Sequence, residues 1–157
     1  MRLCFVRHAD ALPGADDAAR PLSERGQEQA RKLGGYFKDL GVVFNAAYTS
    51  PLLRARQTAK LILKRCLLAK GAKLAVTDAL LNETSKADFE RWLSELPPAE
   101  HVLLVGHAPS LDEHLAKLLG VADPEAVALR KGAVAVVETE AGRRPTLRLF
   151  LSPKLLP

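Results

Sequence analysis

The sequence predicts an α/β fold: a three-layer sandwich with a mostly parallel sheet, helices on both faces and an antiparallel edge. Short apolar runs, RLCFV at 2–6 and HVLLV at 101–105, read as buried strands. Between such runs lie segments whose apolar residues recur at spacings of three and four, the period of a helix packed on one side. The chain closes on GAVAVVETE and RPTLRLFL, separated by Ala141-Gly142, which read as a hairpin.

Each element follows in order. Residues 9–22 (ADALPGADDAARPL) hold Pro, Gly and Asp and form a loop. Ser23 caps a helix that buries Ala30, Leu33, Phe37 and Leu40 and ends at Gly41. AAYTS at 46–50 is a strand. Ser50-Pro51 then reads as a cap followed by Pro at the first helical position, opening a helix with Leu52, Ala55, Ala59, Ile62 and Cys66 on one face. A further strand lies near 73–77, and KADFERWLSEL, before Pro97-Pro98, is a short helix. Pro109 starts the last helix, with Leu111, Leu115, Leu118 and Leu119 inward.

With 157 residues, 48% hydrophobic and 26% charged, the chain reads as one globular domain over 1–157, with enough length for a real core. Its apolar runs are too short to span a bilayer, and its start does not read as a signal peptide, so a cytoplasmic place is expected. Cys4 and Cys66 have no metal-type spacing and read as buried reduced thiols. The net charge is +5. The positives are scattered and aromatics are 5%, without the interleaving a nucleic-acid platform needs. An anionic substrate or an acidic protein suits the balance.

The polar residues that carry chemistry sit where strands end. Arg7 and His8 follow the first strand, Arg54 lies in the first turn after the second, and His107 follows HVLLVG. Ligands of open α/β sheets bind outside the carboxyl ends of the strands, so these residues converge. Guanidinium forks match phosphate oxygens, and helix N-termini add free N–H groups. A neutral imidazole is a competent nucleophile toward phosphorus. The set supplies positioning and charge for phosphoryl transfer without a metal.

Arg7-His8 after a strand, SPLLRARQT at 50–58 and VGHAPSL at 105–111 resemble the histidine phosphatase superfamily, the phosphoglycerate mutase-like fold, over about residues 2–120. The short length and RPLSERG at 20–26 are most similar to the small SixA-type phosphohistidine phosphatases. The resemblance implies His8 as the phosphate-accepting nucleophile and Arg7, Arg54 and His107 as the phosphate-binding set, with no cofactor. Ala9 stands where family members often carry Gly, adding one methyl group. Larger members use a carboxylate as general acid. Glu83, in LLNETS, is the nearest positional candidate, and Asp10 is another. A phosphohistidine substrate relaxes that demand, because its P–N bond breaks once the imidazole is protonated.

Plainer readings stand beside these. His101 and His114 read as structural, Arg56 as a surface residue, Gln57 and Thr58 as packing or supporting groups. Ser23 reads as a cap, Arg20 as within reach of phosphate or partner, and the Ser110 N–H as able to face phosphate. A metal held by His8, Asp10 and His107 is disfavoured by the neighbouring arginines. The chain therefore reads as a phosphatase acting on phosphohistidine of a signalling protein, such as a phosphorelay domain. Its rivals are a phosphatase or mutase of small phosphate esters and a non-catalytic phosphoprotein-binding module. Membranes and nucleic acids are not expected partners.

Overall fold

A computed structural model describes residues 1–156. Its strands are β1 (Arg2–Arg7), β2 (Val43–Phe44), β3 (Ala46–Thr49), β4 (Leu67–Leu68), β5 (Leu74–Val76), β6 (His101–Gly106), β7 (Val134–Glu138) and β8 (Thr146–Leu151). Its α-helices are α1 (Glu24–Asp39), α2 (Leu53–Leu63), α3 (Lys86–Ser94) and α4 (Ser110–Leu119). The main sheet runs β5-β3-β6-β1-β7-β8. β5, β3, β6 and β1 are parallel neighbours, whereas β7 runs antiparallel to β1 and to β8. The expected sandwich and hairpin are both present. β2 and β4 form a separate pair of two residues each, too short to announce itself in the sequence.

The pleat of β1 explains the layers. Cys4 and Val6 face a core shared with Ala30, Leu33 and Phe37 of α1 and Ala55, Ala59 and Ile62 of α2. Leu3 and Phe5 face the other core, with Phe89 of α3 and Leu111 and Leu115 of α4. Both faces of β1 are therefore dry, and its run of buried residues shows no polar alternation. Each large side chain buried there is worth about 1.5–3 kcal/mol. His114 belongs to this packing: its ring stacks on Phe89 at 3.8 Å. Cys4 and Cys66 are buried free thiols, pushed up to about 12 and about 11 respectively by burial.

Several boundaries differ from expectation. Ser23 caps α1 by accepting from the Gly26 N–H at 3.0 Å. Leu40 is not inward: it follows the last turn and is 58% exposed, so the apolar face of α1 ends at Phe37. α2 starts at Leu53, two residues beyond the point that Ser50-Pro51 marks, because Ser50 is engaged elsewhere. Pro109 is the cap residue of α4, whose first helical residue is Ser110. Gly26 is required by close approach. A Cβ there would meet the Asp10 carbonyl oxygen at 1.9 Å, so only glycine lets α1 start against the segment leaving β1.

Candidate functional site

Three neighbouring strands end level. Thr49 pairs with Val105 and Arg7 with Gly106 across the parallel ladders. The next residues continue the pattern: the Ser50 N–H donates to the Val105 carbonyl at 3.1 Å and the His8 N–H to Gly106 at 2.9 Å. Ser50, His107 and His8 thus lie across one sheet edge. The His8 and His107 rings sit 5.0 Å apart, centre to centre. Arg54, in the first turn of α2, is 7% exposed.

The local contacts fix both imidazoles. His8 Nδ1 lies 2.8 Å from the Ala9 carbonyl oxygen, an acceptor only, so Nδ1 carries the proton and Nε2 keeps its lone pair. Ala9 is itself held, its N–H donating to Thr58 Oγ1 at 3.1 Å, while the Thr58 hydroxyl donates to the Arg54 carbonyl at 2.7 Å. Burial lowers His8 to about 4, and the Arg54 and Arg7 charges add to this against the opposing Ala9 hydrogen bond. His8 is therefore neutral at pH 7.

His107 is lowered to about 3, by burial first and then by His8 and Arg54. Its Nε2 is 2.6 Å from Ser50 Oγ. That oxygen already accepts, at 3.4 Å, from the Leu52 N–H. The buried Ser50 hydroxyl has no other acceptor among the described residues, so its proton is assigned to Nε2 and the His107 ring proton to Nδ1.

Among the described residues, that Nδ1 is buried and without a partner, and the same holds for Arg7 Nε, Arg54 Nε and, in the α3–α4 packing, His114 Nε2. Buried donors are rarely left unmet. Three of these groups belong to Arg7, Arg54 and His107, around His8, and could together form a cradle that receives an anion. The remaining guanidinium contacts fix orientation. Arg7 Nη1 donates to the Leu129 carbonyl at 2.9 Å. Arg54 Nη1 and Nη2 donate to the Asp17 carbonyl and carboxylate at 2.8 and 3.2 Å. Asp17 opens a short 3-10 turn, Asp17–Ala19, within the loop after β1, so this loop covers the Arg54 side of the site.

The other expected residues separate. Arg7, His8, Arg54 and His107 come together. Glu83 is exposed, in the turn before α3. Asn82 beside it ties that turn to the site's rim, donating to the Ala108 carbonyl at 3.1 Å and accepting from the Ser110 N–H at 3.2 Å. The Ser110 N–H therefore serves Asn82 rather than the anion cradle. Asp10 accepts from Ser23 Oγ at 2.7 Å and from Lys131 at 3.0 Å. These bonds hold it below the usual carboxylate range, which makes it a poor proton donor. Arg20 donates to the Leu12 carbonyl and to Asp17, bracing the loop. Arg56 is exposed, and Gln57 accepts from the Leu22 N–H at 2.8 Å. Among the described residues no group of three His, Cys, Asp or Glu side chains gathers as a metal site would require.

Sequence reasoning missed Ser50, Asp17 and Asn82. Ser50 carried a signal: it follows a strand just as His8 and His107 do. Its position before Pro51 concealed this by inviting a capping role.

The profile described as the histidine phosphatase superfamily (branch 1) matches residues 3–95. An uncharacterized protein of Picosynechococcus sp. is 34% identical over 169 aligned residues, covering 99% of each chain. The solved structure of the protein histidine phosphatase SixA complexed with tungstate superposes with a TM-score of 0.89 over 100% of both chains, at 26% identity. The phosphohistidine phosphatase SixA of Escherichia coli is 37% identical over 59 residues, 37% of each chain. A neutral histidine set among unmet donors at the ends of β1, β3 and β6 is thus accompanied by likeness along the whole chain: this protein belongs to the histidine phosphatase superfamily, in its small SixA-type branch.

Proposed function

We propose that the protein is a cofactor-independent phosphatase that removes phosphate from phosphohistidine on a signalling protein. The observation that carries this reading is the commitment of His8 Nδ1 to the Ala9 carbonyl, which leaves the Nε2 lone pair free on a neutral ring. In the proposed cycle Arg7, Arg54 and the Nδ1–H of His107 bind the phosphoryl oxygens. His8 Nε2 attacks phosphorus in line, and the bond to the substrate nitrogen breaks as that imidazole takes a proton from water. A second water then attacks phosphorus, the P–Nε2 bond breaks, and orthophosphate leaves. Donors aimed at charge that develops in the transition state supply the acceleration. Tungstate, seen in the SixA structure, is a tetrahedral oxyanion of the kind this cradle fits.

The proton supply favours a P–N substrate. Asp10 is held ionised, and Glu83 is the proposed donor only where the leaving group is an oxygen. The cover over Arg54 is a short exposed loop: the Asp17 side chain is 65% accessible, an open rim that suits a protein substrate. The test is phosphate release, with EDTA present, from a phosphohistidine peptide and from an aryl phosphate. His8→Ala abolishes both, and wild type trapped by acid-free quenching carries phosphate on His8. Glu83→Gln slows the ester and spares the P–N substrate. Fast release from the ester alone would overturn the substrate; phosphopeptide binding without release would establish a binding module instead.

A further inference from the structure

The two sides of Arg7 differ in charge. On one side a groove of about 390 Å³ is lined by Arg7, Asp10, Arg25, Arg130, Lys131 and Lys154, among others. Arg25, Arg130, Lys131 and Lys154 are exposed. The groove's carboxylate, Asp10, is already engaged by Ser23 and Lys131. Among the described residues no carboxylate pairs with Arg25, Arg130 or Lys154 within ion-pair distance. On the other side of Arg7 a hollow of about 520 Å³ is lined by Asp112 and Glu125 together with Arg130, which borders both, so its charges balance where those of the groove do not.

These cations come from separate parts of the chain: the first turn of α1, the loop before β7 and the segment after β8. They share a border with the site through Arg7. Lys131 bears on the charge of His8, whereas Arg25, Arg130 and Lys154 are exposed along the groove, so a phosphoryl group bound at His8 would leave these three without an anionic partner. Clustered positive charge of this kind focuses the field and accelerates encounter with a partner of opposite sign.

We propose that this groove docks a carboxylate-rich segment of the phosphoprotein substrate, adjoining the phosphorylated residue. The inference rests on the proposed phosphatase reading and adds to it which face of the partner approaches. A chain lying from His8 toward Arg25 places its acidic residues over Arg130, Lys131 and Arg25. Approach from the opposite side would bring them against the exposed Glu125.

The test uses synthetic phosphohistidine peptides with Glu-rich, neutral or Lys-rich flanks, beside N-phosphoimidazole and a Glu-flanked phosphoserine peptide. The enzymes are wild type and Arg25→Glu/Arg130→Glu, which alters neither the clamp nor the nucleophile. In wild type the Glu-flanked phosphohistidine peptide exceeds the neutral one in kcat/KM by about tenfold, the low end of electrostatic steering, and the gap closes with salt. In the variant the preference inverts toward the Lys-flanked peptide while N-phosphoimidazole turnover is unchanged, which also shows that the variant is folded. Equal kcat/KM for the three flanks, or equal losses on peptide and N-phosphoimidazole, overturns the groove and leaves the P–N reading intact. Turnover of the phosphoserine peptide without any P–N substrate overturns the P–N reading, and the groove is then judged on flanked phosphoserine peptides. Stronger inhibition by oligo-dT than by oligo-glutamate of equal charge overturns an acidic protein as occupant.

Discussion

Replacing Ser50 by alanine tests the assignment of the His107 proton. Ser50 is fully buried and His107 is 2% exposed, so no water replaces the lost hydroxyl at the 2.6 Å contact. The substitution orphans Nε2 and allows the ring to move its proton there, leaving a lone pair on Nδ1 facing the phosphoryl group. An unmet buried acceptor costs ~1–3 kcal/mol. At about 1.36 kcal/mol per decade, that penalty corresponds to a loss of roughly 5- to 150-fold if the transition state bears it in full. Deleting a donor outright, as in His107→Ala, costs about 10²–10³ in kcat. Ser50→Ala is therefore expected to fall about 10- to 100-fold in kcat, with a small change in KM. Steady-state phosphate release for wild type, Ser50→Ala, His107→Ala and the double variant measures it. If Ser50 acts through His107, the double variant is no slower than His107→Ala. Ring ¹⁵N shifts of His107 report the tautomer directly. A full additional loss in the double variant, or a wild-type ring protonated at Nε2, refutes the reasoning.

Protonation and the loop give the remaining predictions. His8, His107 and His114 are lowered to about 4, 3 and 4, so between these values and the ordinary 6.5 the unfolded chain binds protons that the folded chain refuses. Stability is then fully present above that ordinary value and is lost as pH falls below it; a urea midpoint lower at pH 5 than at pH 7 confirms the sign, and a His8 ring titrating near 6.5 by NMR refutes it. Asp17 holds the Arg54 guanidinium that an oxyanion needs. Asp17→Ala is expected to bind tungstate a few-fold more tightly by calorimetry, and weaker binding shows that the carboxylate positions Arg54 instead of competing for it.

Much of this fold was readable because its strands are buried on both faces and its helices on one. The runs at β1 and β6 are continuous for that reason, and α1 and α4 show their stripes. The proposed catalytic quartet was readable because each member lies at or shortly after a strand end, a position defined along the chain. What stayed hidden depends on contacts distant in sequence. Asp17 meets Arg54 across 37 residues and Asn82 meets Ala108 across 26, and no local pattern marks either pair. Leu40 fitted the α1 stripe, yet the helix ends before the stripe can use it. β2 and β4 pair over two residues each, too few to show a strand's alternation.

The depressed histidines also bear on how the proposed cycle avoids trapping itself. Burial, aided by two guanidinium charges, keeps His8 unprotonated and nucleophilic, but the same charges would hold a bound phosphoryl dianion tightly. Asp17 supplies a counterweight. Its carboxylate holds Arg54 Nη2, so an anion that takes Nη2 as well as Nε would have to displace it. Product release then exchanges one anionic partner of Arg54 for another and avoids stripping a guanidinium bare in a buried place. The energy that favours phosphate in the cradle is reduced by what Asp17 regains. A loop carrying a carboxylate fits turnover better than a purely cationic pocket would, and the measured tungstate affinity of Asp17→Ala, set against its kcat, separates the two effects: tighter anion binding with slower release is the pattern expected of such a counterweight.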